Sequence, residues 1–368
     1  MEEWIKMKKR VAVAMSGGVD SSVAAALLKD RGFEVIGITM QIRERSFDWG
    51  GCCGIDSIED AKRVAYKLEI PHYVLNFRDI FKEKVIADFC EEYKEGRTPN
   101  PCIRCNKYIK FDALAKKAKE LSADYIATGH YARIQRTESR GQRADGRYAL
   151  KKGLDAKKDQ SYVLYTMTQK QLKHTLMPLG SFTKDRVREI AKEKDLSVAN
   201  KPESQEICFI PDNNYGEFVK KCAPEEIKPG PIVNKEGKVI GEHRGIIFYT
   251  IGQRKGMGIA DKDPLYVIAI DKKNNAIKAG KKEELYADEL IASNVNFINI
   301  EKLETPIKVE AKIRYLHQPS QATVIPLNED KVKVKFDSPQ LAITPGQAVV
   351  FYNEEEVIGG GTINKIKN

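Results

Sequence analysis

Hydrophobic positions in the first 200 residues follow two alternating rhythms. Short, almost wholly apolar runs at Val11–Met15, Val35–Met40, Tyr73–Phe77 and Tyr125–Thr128 have the length and side-chain types of buried strands. Between them, apolar residues recur three and four apart from about Ser21, then over Ser57–Leu68, Ile80–Tyr93 and Phe111–Leu121, which predicts amphipathic helices. Strand and helix alternating at this spacing predict an α/β fold, a parallel sheet with helices on both faces.

After Lys201-Pro202 the rhythm changes. Gly and Pro become frequent, as in Lys228-Pro229-Gly230-Pro231 and Gly252–Gly258, and helical periodicity almost disappears. Leu265–Ile270, Ala276–Ala279, Ile307–Arg314, Ala322–Ile325, Lys331–Phe336 and Ala348–Tyr352 read as antiparallel strands separated by turns. The expected organisation is an α/β domain over 1–207, a smaller mainly-β domain over 208–280 and a β-barrel over 281–368.

Composition narrows the class. The 368 residues are 42% hydrophobic and 31% charged, ordinary for a globular chain. The longest apolar runs, such as Val23–Leu28, fall far short of the ~18 residues that span a bilayer. Met1–Lys9 lacks an apolar signal core, so a cytoplasmic protein with no membrane partner is expected. Seven cysteines are too few for a disulfide scaffold and are expected to be reduced there, which directs attention to metal or thiol chemistry. The net charge of +10 is unevenly placed: residues 1–210 carry 39 basic and 30 acidic side chains, 211–280 carry 12 and 9, and 281–368 carry 11 and 13. An anionic partner for the α/β domain follows.

The first chemical signal is Val11–Met15 running into Ser16-Gly17-Gly18-Val19-Asp20-Ser21-Ser22 and a helix. A strand that feeds a Gly-rich turn and a helix N-terminus presents backbone amides to an anion. Ser16, Ser21 and Ser22 are candidate hydroxyl donors to it. Neither GxxxxGK[ST] nor GxGxxG occurs, which disfavours a motor-type NTPase and a standard dinucleotide fold. The string resembles the signature of the ATP pyrophosphatases, which split ATP between the α- and β-phosphates and adenylate a substrate. That resemblance implies a Rossmann-like domain of the adenine-nucleotide α-hydrolase type, with ATP at Ala14, Met15, Ser16, Gly17, Gly18, Val19, Asp20 and Ser21. It also implies adenine near Met40, closure by Thr128-Gly129-His130, and Mg2+ on the phosphates with Asp20 as a candidate ligand.

Cys102 and Cys105 form a Cys-x-x-Cys after Thr98-Pro99-Asn100-Pro101, just ahead of the helix predicted at Ile109. Half a zinc knuckle is a weak metal signal; Arg97, Arg104 and Lys107 would favour a thiolate at Cys105. Cys208 stands between Ile207 and Phe209, Cys90 lies in an amphipathic helix, Cys222 precedes Pro224 by two, and Cys52-Cys53 sits in a Gly-rich stretch. By themselves, Cys90, Cys208 and Cys222 read as inert thiols.

Together, Ser16–Ser22, Gly96–Asn106, Thr128–Arg133, Lys158-Asp159-Gln160-Ser161-Tyr162, Ile207–Ile210, Thr250–Gly258, Ile313-Arg314-Tyr315 and Pro345–Ala348 resemble the tRNA-specific 2-thiouridylases along essentially the whole chain. The resemblance implies ATP-dependent replacement of the 2-oxygen of a wobble uridine by sulfur, with AMP and pyrophosphate released. It assigns Cys208 as the persulfide cysteine and Cys105 as the nucleophile, joined in a transient disulfide. The sulfur donor would be a cysteine desulfurase or a relay protein. It puts the target base at Asn100, Pro101 and Cys102, and further tRNA contacts at Lys158, Asp159 and Gln160 and at Arg314 and Tyr315. Arg133, Arg136, Arg140, Arg143 and Arg147 then read as a basic hairpin for the anticodon arm. Many relatives carry an acidic residue where this chain has Cys102. An iron–sulfur cluster on Cys102, Cys105 and Cys208 is therefore an alternative, less favoured than the persulfide–disulfide route.

Overall fold

A computed structural model of the chain describes residues 8–42, 55–137, 146–203, 207–210, 214–222 and 227–367. Cys52, Cys53, Arg140 and Arg143 lie outside the described residues. Two compact units are present, one comprising residues 1–84, 102–211 and 355–357, the other 85–101, 212–354 and 358–368.

In the first unit, β1 (Arg10–Ala14), α1 (Val19–Asp30), β2 (Glu34–Gln41), α2 (Ile55–Lys67), β3 (His72–Asn76) and β4 (Tyr125–Ala127) realise the predicted alternation. The sheet runs β3-β2-β1-β4 and ends on a short strand, Thr175–Leu176, with every neighbour parallel. Val11, Ala12 and Val13 of β1 are fully buried, which is why the run is uninterruptedly apolar. From β1 the chain moves outward to β2 and β3 and then returns to β4 on β1's other side. A crevice opens where strand order reverses, beyond the carboxyl end of β1, and that is where Ser16–Ser22 lies.

One local difference from the expected pattern and one expectation that is met bear on the site. The helix predicted at Ile109 begins at Pro101 and runs to Glu120, with wide π-type turns over Cys105–Ala113. Proline is well suited to a first helical turn, so Cys102 and Cys105 are helical residues rather than loop residues. The basic segment forms a hairpin of Ala132–Arg136 and Tyr148–Lys152.

The second unit holds a four-stranded sheet in the order Tyr266–Asp271, Ala276–Gly280, Gly230–Val233 and Val239–His243. It also holds a closed barrel. Its six strands run in the order Tyr286–Phe297, Lys331–Leu341, Ser320–Pro326, Ile307–Lys312, Ala348–Asn353 and Glu356–Lys367, and the last pairs with the first. Closure leaves no free edge in the ring, and Leu290, Val324, Val334, Val349 and Phe351 fill its interior. Residues 85–101 belong to this unit. The helix Ala87–Lys94 packs on Tyr215–Cys222 through Tyr93 stacked on Tyr215 at 4.9 Å. Thr98 is tied to the barrel, its N–H donating to the Pro345 carbonyl at 2.9 Å and its carbonyl accepting from Gln347 Nε2 at 2.8 Å. Gly346 has φ +91°, and a Cβ there would stand 2.8 Å from the Thr98 nitrogen, so the approach requires glycine.

Phe351 is fully buried in the barrel. Phe351→Ala is expected to cost about 3–5 kcal/mol, read as a lower midpoint in urea unfolding.

Candidate functional site

The turn after β1 is built from its own backbone. Gly17 adopts φ +71°, and a Cβ on it would sit 2.1 Å from the Ser57 carbonyl oxygen, so no other residue fits. Gly18 is the N-cap of α1 and no side chain caps the helix, which leaves its first amides facing the crevice. The Ser16 N–H donates to Ser21 Oγ at 3.1 Å, and Ser22 Oγ donates to the Gly18 carbonyl at 2.9 Å. Ser22 is fully buried. Its hydroxyl therefore braces the turn and is not an anion donor, correcting the expectation from sequence. Gly129 closes the turn from β4: a Cβ there would meet the Asp20 carbonyl carbon and the Ser21 nitrogen, both at 2.8 Å. Met40 is half-buried at the end of β2, the neighbouring strand.

Asp20 is not a vacant carboxylate. Lys184 Nζ lies 2.7 Å from its Oδ1 and 2.8 Å from its Oδ2, and the Tyr131 hydroxyl donates to Oδ1 at 2.8 Å. Burial and the neighbouring Asp20 charge push the Tyr131 phenol far above its ordinary range, so it stays protonated and donating. With both oxygens engaged, Asp20 does not fit the role of magnesium ligand that the resemblance implied. Among the described residues, no group of three or more His, Cys, Asp or Glu is gathered to hold a metal.

Lys184 is itself buried and also reaches Glu203 Oε1 at 3.1 Å, while Lys158 Nζ contacts Glu203 Oε2 at 2.6 Å. Burial raises the Glu203 carboxyl, but hydrogen bonds from Lys158 and Lys184 outweigh it and hold the group below the ordinary glutamate value. Lys201 Nζ bonds the Gly17 carbonyl at 3.0 Å and Asp60 Oδ2 at 2.5 Å. Sequence reasoning missed Lys184, Lys201 and Glu203, and it gave no separate role to Tyr131 within the Thr128–Arg133 motif. Isolated lysines and a glutamate carry no motif, and only the fold brings them to the turn.

Of the segment Lys158–Gln160, Asp159 and Gln160 are used internally. Asp159 Oδ1 accepts from the Gly153 and Ser161 amides at 3.0 Å, and Gln160 Oε1 accepts from the Tyr131 N–H at 3.0 Å. The ammonium of Lys158 is the group this segment can offer a phosphate. His130 is buried, with Nδ1 at 2.8 Å from Thr128 Oγ1 and Nε2 at 3.4 Å from Lys110 Nζ. Lysine only donates, so Nε2 accepts and the ring proton sits on Nδ1. Desolvation, then Lys110, holds His130 well below the ordinary histidine value.

Of the described cysteines, Cys105 and Cys208 are half-buried and Cys102 is exposed. Asn106, next to Cys105, is buried and donates to the Val163 carbonyl at 3.0 Å. Phe209, next to Cys208, meets Phe81 edge-on at 5.7 Å, and the short helix Arg78–Phe81 packs on the helix of Cys105. Both thiols belong to the first unit. In the second unit, the Arg97 guanidinium is paired with both oxygens of Glu92 at 2.8 and 2.7 Å. In the second unit, Asn100 is half-buried and Pro101 buried. There too Arg314 donates to the Leu341 carbonyl at 3.4 Å, and Lys312 Nζ lies 5.7 Å from the Tyr315 ring centre.

Gly17→Ala and Gly129→Ala should each abolish nucleotide binding measured by calorimetry, because the obstructing atoms are backbone. The low pKa of His130 fixes a pH dependence. The unfolded chain takes this proton below about pH 6.5, whereas the folded one refuses it. Stability from the neutral ring is therefore present above that pH and declines as pH falls further. His130→Gln should flatten the loss of urea midpoint between pH 7.5 and 5.5.

Three family models match successive parts of the chain: tRNA methyl transferase HUP domain over 9–212, tRNA methyl transferase PRC-barrel domain over 216–281, and aminomethyltransferase beta-barrel domain over 287–363. The chain is 56% identical over 361 residues to the tRNA-specific 2-thiouridylase of Clostridium acetobutylicum, covering 97% of this chain and 100% of that one. It is 55% identical over 362 residues to that of Clostridioides difficile, covering 98% and 99%. With this identity along nearly the full length, the chain belongs to the tRNA-specific 2-thiouridylase family.

Proposed function

We propose that this protein is a tRNA sulfurtransferase that makes 2-thiouridine at the wobble position, using ATP to activate the uracil 2-oxygen. The observation that carries the reading is near-full-length identity to 2-thiouridylases, and the turn and the thiols in one compact unit support it. ATP lies with its phosphates on the Ser16–Ser21 amides and its adenine toward Met40. A uracil carbonyl oxygen is a poor leaving group. Attack by that oxygen on the α-phosphorus expels pyrophosphate and converts it into an AMP ester, a good one.

Sulfur arrives on Cys208 as a persulfide from a cysteine desulfurase or relay protein. The Cys105 thiolate attacks the Cys208 sulfur, forms the Cys105–Cys208 disulfide and releases the terminal sulfur as hydrosulfide. Hydrosulfide adds at C2, AMP leaves, and an external dithiol returns both cysteines to thiols. An anticodon-loop base is already unpaired, so bringing it to Asn100, Pro101 and Cys102 costs little unstacking energy. Lys158, Arg314 and Tyr315 contribute phosphate and stacking contacts. No helix among the described residues is long and apolar enough to cross a membrane, and cytoplasmic tRNA is the proposed substrate.

Incubation with ATP, magnesium, a desulfurase with cysteine, and unmodified tRNA should yield 2-thiouridine by nucleoside mass spectrometry. Cys105→Ser and Cys208→Ser should each reduce it at least ~100-fold while tRNA-dependent pyrophosphate release persists. Product made normally by both variants would overturn the thiol assignment.

A further inference from the structure

Four charged side chains of the first unit form an unbroken row of alternating sign. Lys158 holds Glu203 Oε2 at 2.6 Å, Glu203 Oε1 lies 3.1 Å from Lys184, and Lys184 spans both oxygens of Asp20 at 2.7 and 2.8 Å. The two carboxylate oxygens of Glu203 are thus divided between two lysines, and Lys184 is divided between two carboxylates. The Lys184 side chain is 8% exposed against 36% for Lys158. Lys184 can therefore trade one acid against the other, whereas Lys158 can turn to solvent and meet an external anion. Tyr131 makes a second link, its hydroxyl on Asp20 and its backbone paired in both directions with Gln160.

We propose that this row is an electrostatic relay by which an RNA phosphate at Lys158 loosens the hold of the Gly17–Ser21 turn on a nucleotide's phosphates, with Glu203 and Lys184 as positioning residues. It rests on the reading of the turn as a nucleotide site and of Lys158 as an RNA contact.

The sign follows from the charges. A phosphate that draws Lys158 away leaves Glu203 with Lys184 at 3.1 Å and, more distantly, Arg188 at 3.9 Å. Glu203 then holds Lys184 harder, and less of that cation faces the polyphosphate beside Asp20. By reciprocity, a polyphosphate that attracts Lys184 leaves Glu203 to clasp Lys158, weakening its contact with RNA by the same factor. Partial antagonism of this kind favours departure of pyrophosphate once the RNA is seated. The contacts are short and partly buried, so the coupling is less screened by salt than a field acting through solvent.

The test is calorimetric titration of the full chain with α,β-methylene-ATP, first without RNA. Lys158→Met should weaken binding on the order of fivefold, although Lys158 is not among the nucleotide-contacting residues, and Lys158→Arg should retain wild-type affinity. Glu203→Gln should tighten binding by freeing Lys184, and in that background Lys158→Met should add nothing. Saturating unmodified tRNA should weaken the analogue's binding to wild type but not to Glu203→Gln. Matched thermal unfolding verifies the variants; if Glu203→Gln does not fold, comparison of Met with Arg at position 158 decides. Unchanged affinity in Lys158→Met, an equal Lys158 effect in both backgrounds, or no effect of tRNA on wild type would each overturn the relay and leave the proposed activity standing. Failure of wild type to bind the analogue would instead overturn the nucleotide reading, and the relay with it.

Discussion

A lysine ammonium with almost no access to water must be paired, and Lys184 is paired twice, to Asp20 and to Glu203. Removing one partner from a buried charge pair costs far more than the pair contributes on balance, so the surrounding chain is tied to this arrangement. Asp20 fixes it to the first turn of α1. Glu203 fixes it to the segment that leads to Cys208, and Lys201, two residues earlier, bonds the Gly17 carbonyl. The glycine turn and the chain just ahead of the Cys208 segment are therefore held by one set of contacts.

The same contacts correct a simple transfer of roles by position. Asp20 stands where the resemblance suggested a metal ligand, yet its oxygens are occupied by an ammonium and a phenol. Ser22 stands in the signature and spends its hydroxyl on the Gly18 carbonyl. Arg97, near Cys105 in sequence, belongs electrostatically to Glu92. What the turn retains for an anion is backbone: amides of a helix start, exposed because Gly17 and Gly129 have no side chains. Such donors are fixed before the ligand arrives and need no reorganisation.

Hydrophobic rhythm is legible because burial imposes it directly. A central parallel strand is covered on both faces and must be apolar throughout, so β1, β2 and β4 announce themselves. The Gly230–Val233, Tyr286–Phe297 and Glu356–Lys367 strands do not: one begins Gly-Pro, one is studded with Asp, Glu and Asn, and one carries three consecutive glycines. Strands like these are specified by their neighbours in the sheet or barrel more than by their own composition. The start of the cysteine helix was misjudged for a related reason, since two prolines ahead of Cys102 read as rigid loop although proline is welcome in a first helical turn.

The sequence by itself determined the α/β alternation followed by β modules, the glycine turn and its anion chemistry, and the cysteines placed in a recognisable order. Those are properties of local composition and short spacing, which physics reads within a dozen residues. Tertiary structure alone decided which charges meet. Asp20, Lys158, Lys184 and Glu203 are separated by up to 183 positions, and no single one is unusual. Their pairing arises because the fold carries them to one end of β1 and buries Lys184 among them, and a buried ammonium requires carboxylates beside it.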